Sequence, residues 1–241
     1  MNATFIVTSA VHSRFGIYNW TQRLAMTLDT IRCLRERVPG CKIVINEVSG
    51  SGVVEETEQA LMDAVDLYLD FTTNSEVNFI YNNPAWYNNW DVVKNLTELT
   101  TFPQSLKILQ ESGEIDDQDR IFKMSGRYLL NEKFDLSFYQ QEDVKNKVVI
   151  GKSVPSQFPI EVTGLNMQYM CRLLSWPQHL HHDMIGWYEA GRDYMKHRMS
   201  LGGYADIEHC LYHAIPKSTV YEVEEVGVYG NIAPNGIPIV N

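Results

Sequence analysis

Lys123, Ser125, Gly126 and Arg127 fall within five residues of one another in the run RIFKMSGRYLL at 120–130. An apolar, strand-like stretch there ends in a lysine, a serine–glycine turn and an arginine. Two cations, a hydroxyl and a turn amide suit a ligand of concentrated negative charge such as a pyrophosphate. The same residues allow a plainer use, with Arg127 paired to Asp135 or an acidic loop and Gly126 making only a bend. Lys94, in VVKNLTEL, opens a helix ahead of this run. It either reaches a phosphate or is an exposed helix lysine.

Other groups have side chains suited to metal chemistry. HLHHD places His179, His181, His182 and Asp183 together, but without an HExxH pattern or paired cysteines it reads as a surface or acceptor-side segment. His209 and His213 share a helical face, where stacking over the core is expected. The acidic loop DDQD (116–119) precedes a strand and so lies at the wrong edge for a pocket metal. Cys33, Cys41, Cys171 and Cys210 are scattered, which fits buried thiols in a reducing compartment.

The elements that must position these residues alternate strand and helix. FIVTSAV is a short apolar run without polar alternation, the pattern of a strand covered on both faces. Leu24, Leu28, Ile31 and Val38 then keep near-helical spacing up to Pro39-Gly40. KIVINEV is a second strand with GSG as its exit turn. Glu55 and Glu56 open a second helix and suit its positive end. LYLDF is a third strand, residues 72–90 a long polar-aromatic loop, and RIFKM the fourth strand. Helices are expected near 91–101 and 104–112, with Pro103 at the start of the second. Strands separated by helices predict an α/β fold with a mostly parallel sheet, whose ligands sit beyond the carboxyl ends of the strands. That places Thr8, Ser9 and Ala10, Glu47, and the 123–127 turn at one edge.

Composition narrows the function. The chain has 241 residues and a net charge of -10, which opposes a nucleic-acid partner because phosphate neutralisation needs a basic face. No segment reaches the roughly 18 apolar residues of a membrane helix. The N-terminal run lacks a basic n-region and reads as a strand rather than a signal peptide. A cytoplasmic location is expected. One domain is read over 1–241.

The order strand, helix, strand, helix, strand, long loop, helix, then FKMSGRYLLNEKF resembles the nucleotide-sugar glycosyltransferases of the GT-A fold. In particular it is similar to bacterial and viral members with K-x-S-G-R-Y where others carry an Asp-x-Asp metal motif. FIVTSAV, R..LAMTLDTIRCLRERVP and KIVINEVSG resemble the first two units of that group, and DIEHCLYHAIP with EVGVYGNIAPNG its closing segment. The resemblance implies a nucleotide-sugar-binding half over 1–130 and an acceptor-side half over 131–241. It implies diphosphate contacts from Thr8, Ser9, Ala10, Glu47, Lys94, Lys123, Ser125, Gly126 and Arg127. Because Asp-x-Asp is missing, no cofactor is expected to be required, although Mg or Mn remains an option. Lys123 and Arg127 then take over the metal's work on the leaving group.

The resemblance also implies a carboxylate near the reaction centre, supplied by GGYADIEHCLYHAIP. Ile207, Cys210, Leu211 and Ala214 share one face of an amphipathic helix whose first turn carries Asp206 and Glu208. Glu208 is the expected general base and Asp206 the alternate; helix capping and dipole pairing are their plainer uses. The implied partners are a nucleotide diphosphate sugar and a hydroxyl-bearing glycan acceptor. A nucleotidyltransferase of similar fold is the rival enzyme, and TSAVHSRFG lacks the glycine-rich loop that would support it. A non-catalytic sugar-nucleotide or glycan-binding module is the rival from another class.

Overall fold

A computed structural model describes residues 1–50, 52–117, 119–232 and 235–240. Ser51 of the GSG turn, Gln118 of the DDQD loop, Ala233 and Pro234 of the closing segment, and Asn241 lie outside the described residues. In chain order the elements are β1 (Asn2–Ser9), α1 (Trp20–Arg37), β2 (Lys42–Glu47), α2 (Glu55–Ala64), β3 (Leu67–Asp70) and α3 (Ser75–Asn82). There follow α4 (Trp90–Glu111), β4 (Asp119–Ser125), β5 (Tyr128–Leu130), β6 (Val148–Pro155), α5 (Ile160–Thr163) and β7 (Met167–Pro177). The chain closes with α6 (His181–Ser200), α7 (Ile207–Ala214), β8 (Val220–Val223), β9 (Val228–Asn231) and β10 (Pro238–Val240).

Seven strands form one sheet in the order β3-β2-β1-β4-β7-β6-β8, and β10-β9-β5 form a small antiparallel second sheet. The large sheet is mostly parallel, with β7 running against both β4 and β6. The carboxyl ends of β1, β2, β4 and β6 and the start of β7 therefore share one edge. Side chains alternate between two cores. Ile6 and Ile121 share a core with α4, α6 and α7 through Leu96, Phe102, Tyr188 and Leu211, while Phe5 and Phe122 pack with Leu34 and Tyr139 on the other face. Burial on both faces explains why β1 carries no polar alternation.

Two expectations differ from the structure. The segments at 91–101 and 104–112 are one helix, α4, with Pro103 in its interior. Proline removes one donor, but hydroxyls supply others: Thr101 Oγ1 donates to the Thr97 carbonyl at 3.0 Å and Ser105 Oγ to the Thr101 carbonyl at 3.2 Å. Residues buried along most of α4 provide packing that outweighs the break. The stretch 72–90 is not one loop, since Asn74 caps α3 by accepting from the amides of Glu76 and Val77.

Candidate active site

An open cleft of about 1060 Å³, its mouth included, lies at the shared strand edge. Its walls include Thr8, Ser9 and Ala10 after β1, Lys94 and Glu98 from α4, Lys123 and Ser125 from β4, Arg127, and Glu208 from α7. Eight of the eleven expected site residues thus line one cavity: Thr8, Ser9, Ala10, Lys94, Lys123, Ser125, Arg127 and Glu208. Glu47, Gly126 and Asp206 are not among its walls.

Each of those three has another job. Glu47 is fully buried, and its carboxylate accepts the Val11 amide at 3.1 Å, the Ser49 amide at 3.0 Å and the Ser49 hydroxyl. It clamps the turn after β1 to the end of β2. Burial pushes its pKa up, and the bonds from Ser49 and Val11 pull it part of the way back. The Gly126 amide donates to the Thr8 carbonyl at 2.9 Å, so that amide extends the β1–β4 ladder. A Cβ at Gly126 would sit 2.9 Å from Thr27 Oγ1, so glycine lets the turn lie against α1.

Asp206 caps α7 through the His209 amide at 3.0 Å. Its Oδ1 lies 2.5 Å from His209 Nδ1, Gln157 Nε2 donates to its Oδ2 at 3.1 Å, and His209 Nε2 lies 2.8 Å from Ser156 Oγ. Burial alone would raise the Asp206 pKa, but the His209 bonds outweigh it and hold it below the usual range. This chain of bonds ties the end of β6 to the start of α7 and so fixes where Glu208 enters the cleft. At Glu208, burial and the neighbouring Asp206 charge push the pKa up, against the pull of Lys94 and Lys123.

The cations divide into two groups. Lys123 Nζ donates to Glu98 Oε1 in an ion pair whose partners are only 5% and 8% exposed. Arg23, the first-turn arginine of α1, spends its guanidinium on the carbonyls of Tyr18 at 3.0 Å, Phe15, and Ala10 at 3.5 Å, which shapes the loop after β1. Lys94, Arg127 and Arg172 also line the cleft, and among the described residues none of their side chains has a hydrogen bond or close ion pair. Arg127 Nε is buried without a partner, and Arg127 does not pair with Asp135. Lys94 is open to cleft solvent yet surrounded by protein. Burial pulls its pKa down, but Glu208 and Glu98 outweigh that and raise it.

Glu98 and Arg172 were not singled out by sequence. Glu98 follows Lys94 by four residues on α4, so in one dimension the two resemble an ordinary surface pair. Arg172 interrupts a buried strand, the one signal that marked it. The histidines lie elsewhere: buried His181 bonds the Leu106 carbonyl at 2.9 Å, and His213 stacks on Tyr194. In the asparagine-rich segment Asn89 caps α4 and Asn83 accepts the Ala85 amide, so these amides are used locally.

The described residues do not build an all-protein cage for a divalent cation, whereas Mg is held by one or two carboxylates together with substrate phosphates. Among the described residues no three His, Cys, Asp or Glu converge, and of the two cleft carboxylates Glu98 is held by Lys123. No helix among them is long and apolar enough to cross a membrane.

Neither a family model nor a curated protein matches the sequence. Solved structures do. The galactosyltransferase LgtC, in complex with donor and acceptor sugar analogues, superposes with a TM-score of 0.51 and 10% identity, covering 92% of this chain and 73% of that one. Core-mannan synthase A from Aspergillus fumigatus, in a manganese and GDP form, gives 0.52 and 8%, covering 96% and 74%. The chain has the GT-A fold of these enzymes.

Proposed function

We propose that the protein is a glycosyltransferase that moves a sugar from a nucleotide diphosphate sugar to a hydroxyl acceptor on a glycan. The observation that carries this reading is the presence, in one cleft at the strand edge, of cations with no side-chain partner among the described residues together with one described carboxylate not held in an ion pair, Glu208. Thr8, Ser9 and Ala10 line the nucleotide side, while Lys94, Ser125 and Arg127 face the diphosphate. Residues 1–130 supply most of the nucleotide site within a single domain, and 131–241 bring Glu208 to the acceptor side. Lys123 acts through its pair with Glu98, which keeps one more positive group fixed beneath the phosphates without adding net charge. The four free thiols support a reducing, cytoplasmic setting.

In this reading the acceptor oxygen attacks the anomeric carbon, its proton passes to Glu208, and the bond to the diphosphate oxygen breaks with its electron pair on that oxygen. The fold neighbour crystallised with manganese leaves Mg or Mn available as a supplement. The cationic donor set makes Lys94 and Arg127 the main counter-charge.

Two measurements test this. Calorimetry with UDP, GDP, CDP and TDP and their nucleosides is expected to show Arg127→Ala weakening the preferred diphosphate by about 10- to 150-fold, from a charge-assisted bond worth roughly 1.5–3 kcal/mol. The nucleoside should be nearly unaffected; equal loss for both, or loss by unfolding, counts against the assignment. Chelator should change diphosphate binding only modestly. If chelator abolishes binding and manganese restores it, the charge-balancing role moves from these cations to a metal.

A further inference from the structure

We propose that Arg172 is a catalytic cation of this cleft, serving the negative charge that builds on the diphosphate as it departs; the proposal rests on the sugar-transfer reading. Arg172 belongs to β7, where Leu173 pairs with Met124 and Leu174 with Lys123. It therefore stands one step beyond the paired region, beside Ser125 at the end of β4. The register of β6 against β7 shifts on both sides of Gly151, and a Cβ there would sit 2.7 Å from the Met170 carbonyl oxygen. Such an irregularity re-aims neighbouring side chains. It accompanies an arginine that lines the cleft with Cys171, Ile207 and Glu208 where a regular buried strand would place an apolar side chain.

Charge accounting gives this arginine its role. Lys123 is neutralised by Glu98, and Arg23 is engaged by backbone carbonyls. Among the described residues Lys94, Arg127 and Arg172 remain, in the same cleft as Glu208. A sugar-linked diphosphate carries one negative charge on each phosphate, which Lys94 and Arg127 match. When the sugar–oxygen bond breaks, the leaving group gains one more charge. Glu208 loses its own in the same step by taking the acceptor proton. The third cation offsets the carboxylate before transfer and the new oxyanion charge after it, so the sum of charge over these groups is the same before and after the step. An interaction that strengthens along the reaction raises turnover rather than ground-state affinity.

The experiment measures donor hydrolysis and diphosphate binding for wild type, Arg172→Gln and Arg172→Lys with UDP-glucose, UDP-galactose, UDP-N-acetylglucosamine and GDP-mannose. The expected result is a loss of kcat by roughly 10²–10³-fold in Arg172→Gln, the scale of removing one oxyanion donor. Donor KM should stay within about threefold, Arg172→Lys should recover part of kcat, and the nucleoside diphosphate product should bind more weakly. The melting midpoint should not fall, because among the described residues the Arg172 side chain has no hydrogen bond or close ion pair to lose. Wild-type turnover in the glutamine variant overturns the role of Arg172 alone. Equal loss of donor and product affinity at unchanged kcat, or loss confined to a donor bearing a sugar carboxylate such as UDP-glucuronic acid, overturns it likewise in favour of ground-state recognition. A wild type that neither binds nor hydrolyses any of these donors overturns the sugar-transfer reading, and this proposal with it.

Discussion

Glu208→Gln lowers turnover by about 10²–10⁴-fold, the usual contribution of a positioned general base, while donor affinity stays near the wild-type value. Glutamine keeps the length and hydrogen-bonding capacity of the side chain, so the cleft retains its shape and loses only a proton acceptor. The pH profile carries a second signature. Burial, then the charge of Asp206, raises the Glu208 pKa above the ordinary carboxylate range of about 4.3. A base acts when ionised, so turnover should fall as pH drops through that raised value, and this acid limb should vanish in the variant. Asp206→Asn gives the contrast. Its carboxylate holds the start of α7 through the His209 amide and ring, so the change should cost mainly stability, about 0.5–2 kcal/mol for the cap. Stopped assays across pH with melting curves separate the two. Near-normal turnover in Glu208→Gln removes α7 from the chemistry and favours a retaining reaction, in which the departing phosphate takes the proton.

Much of the scaffold was legible because it rests on local pattern. β1, β2 and β4 are each built on a short, largely apolar stretch, and their shared edge follows from the strand–helix alternation, so Thr8 to Ala10 and the 123–127 turn could be placed together from sequence. Individual side chains were less accessible. The Gly126 amide looks available in RIFKMSGRYLL, yet it completes the ladder to Thr8, a pairing across more than a hundred residues. Glu47 sits at a strand end like a ligand contact, but its carboxylate is taken up by the hydroxyl and amide of Ser49 and by the amide of Val11. Arg172 carries only the weak signal of a charge in a buried strand, because β7 returns antiparallel beside β4 from nearly fifty residues away and the sheet order brings it to the cleft. Pro103 misled for the opposite reason: a strong local signal was overridden by burial of α4.

Glu98→Ala is expected to be the most damaging single change to stability, at about 3–5 kcal/mol. The loss comes less from the missing attraction than from what remains. Lys123, 5% exposed, would keep its ammonium in the interior without a carboxylate, with Lys94 and Arg127 adding repulsion. Burial alone would raise the Glu98 pKa; Lys123 first, then Lys94, outweigh it and hold the folded value below the unfolded one. The sign follows. Stability from this pair is present above the unfolded carboxylate pKa and is lost as pH falls through the depressed folded value, so urea titrations from pH 7 downward should show an acid-side loss in wild type that Glu98→Ala lacks. A double variant, Glu98→Gln with Lys123→Met, removes both charges at similar volume and should recover most of the stability. It should also bind diphosphate more weakly than wild type, because the fixed ammonium beneath the phosphates is gone. Inorganic pyrophosphate supplies the reciprocal test. It offers Lys123, Lys94 and Arg127 the negative charge that Glu98 no longer provides, and should therefore raise the melting midpoint of Glu98→Ala more than that of wild type. Equal shifts in the two proteins would separate Glu98 from the anion site and leave it as a packing residue of α4.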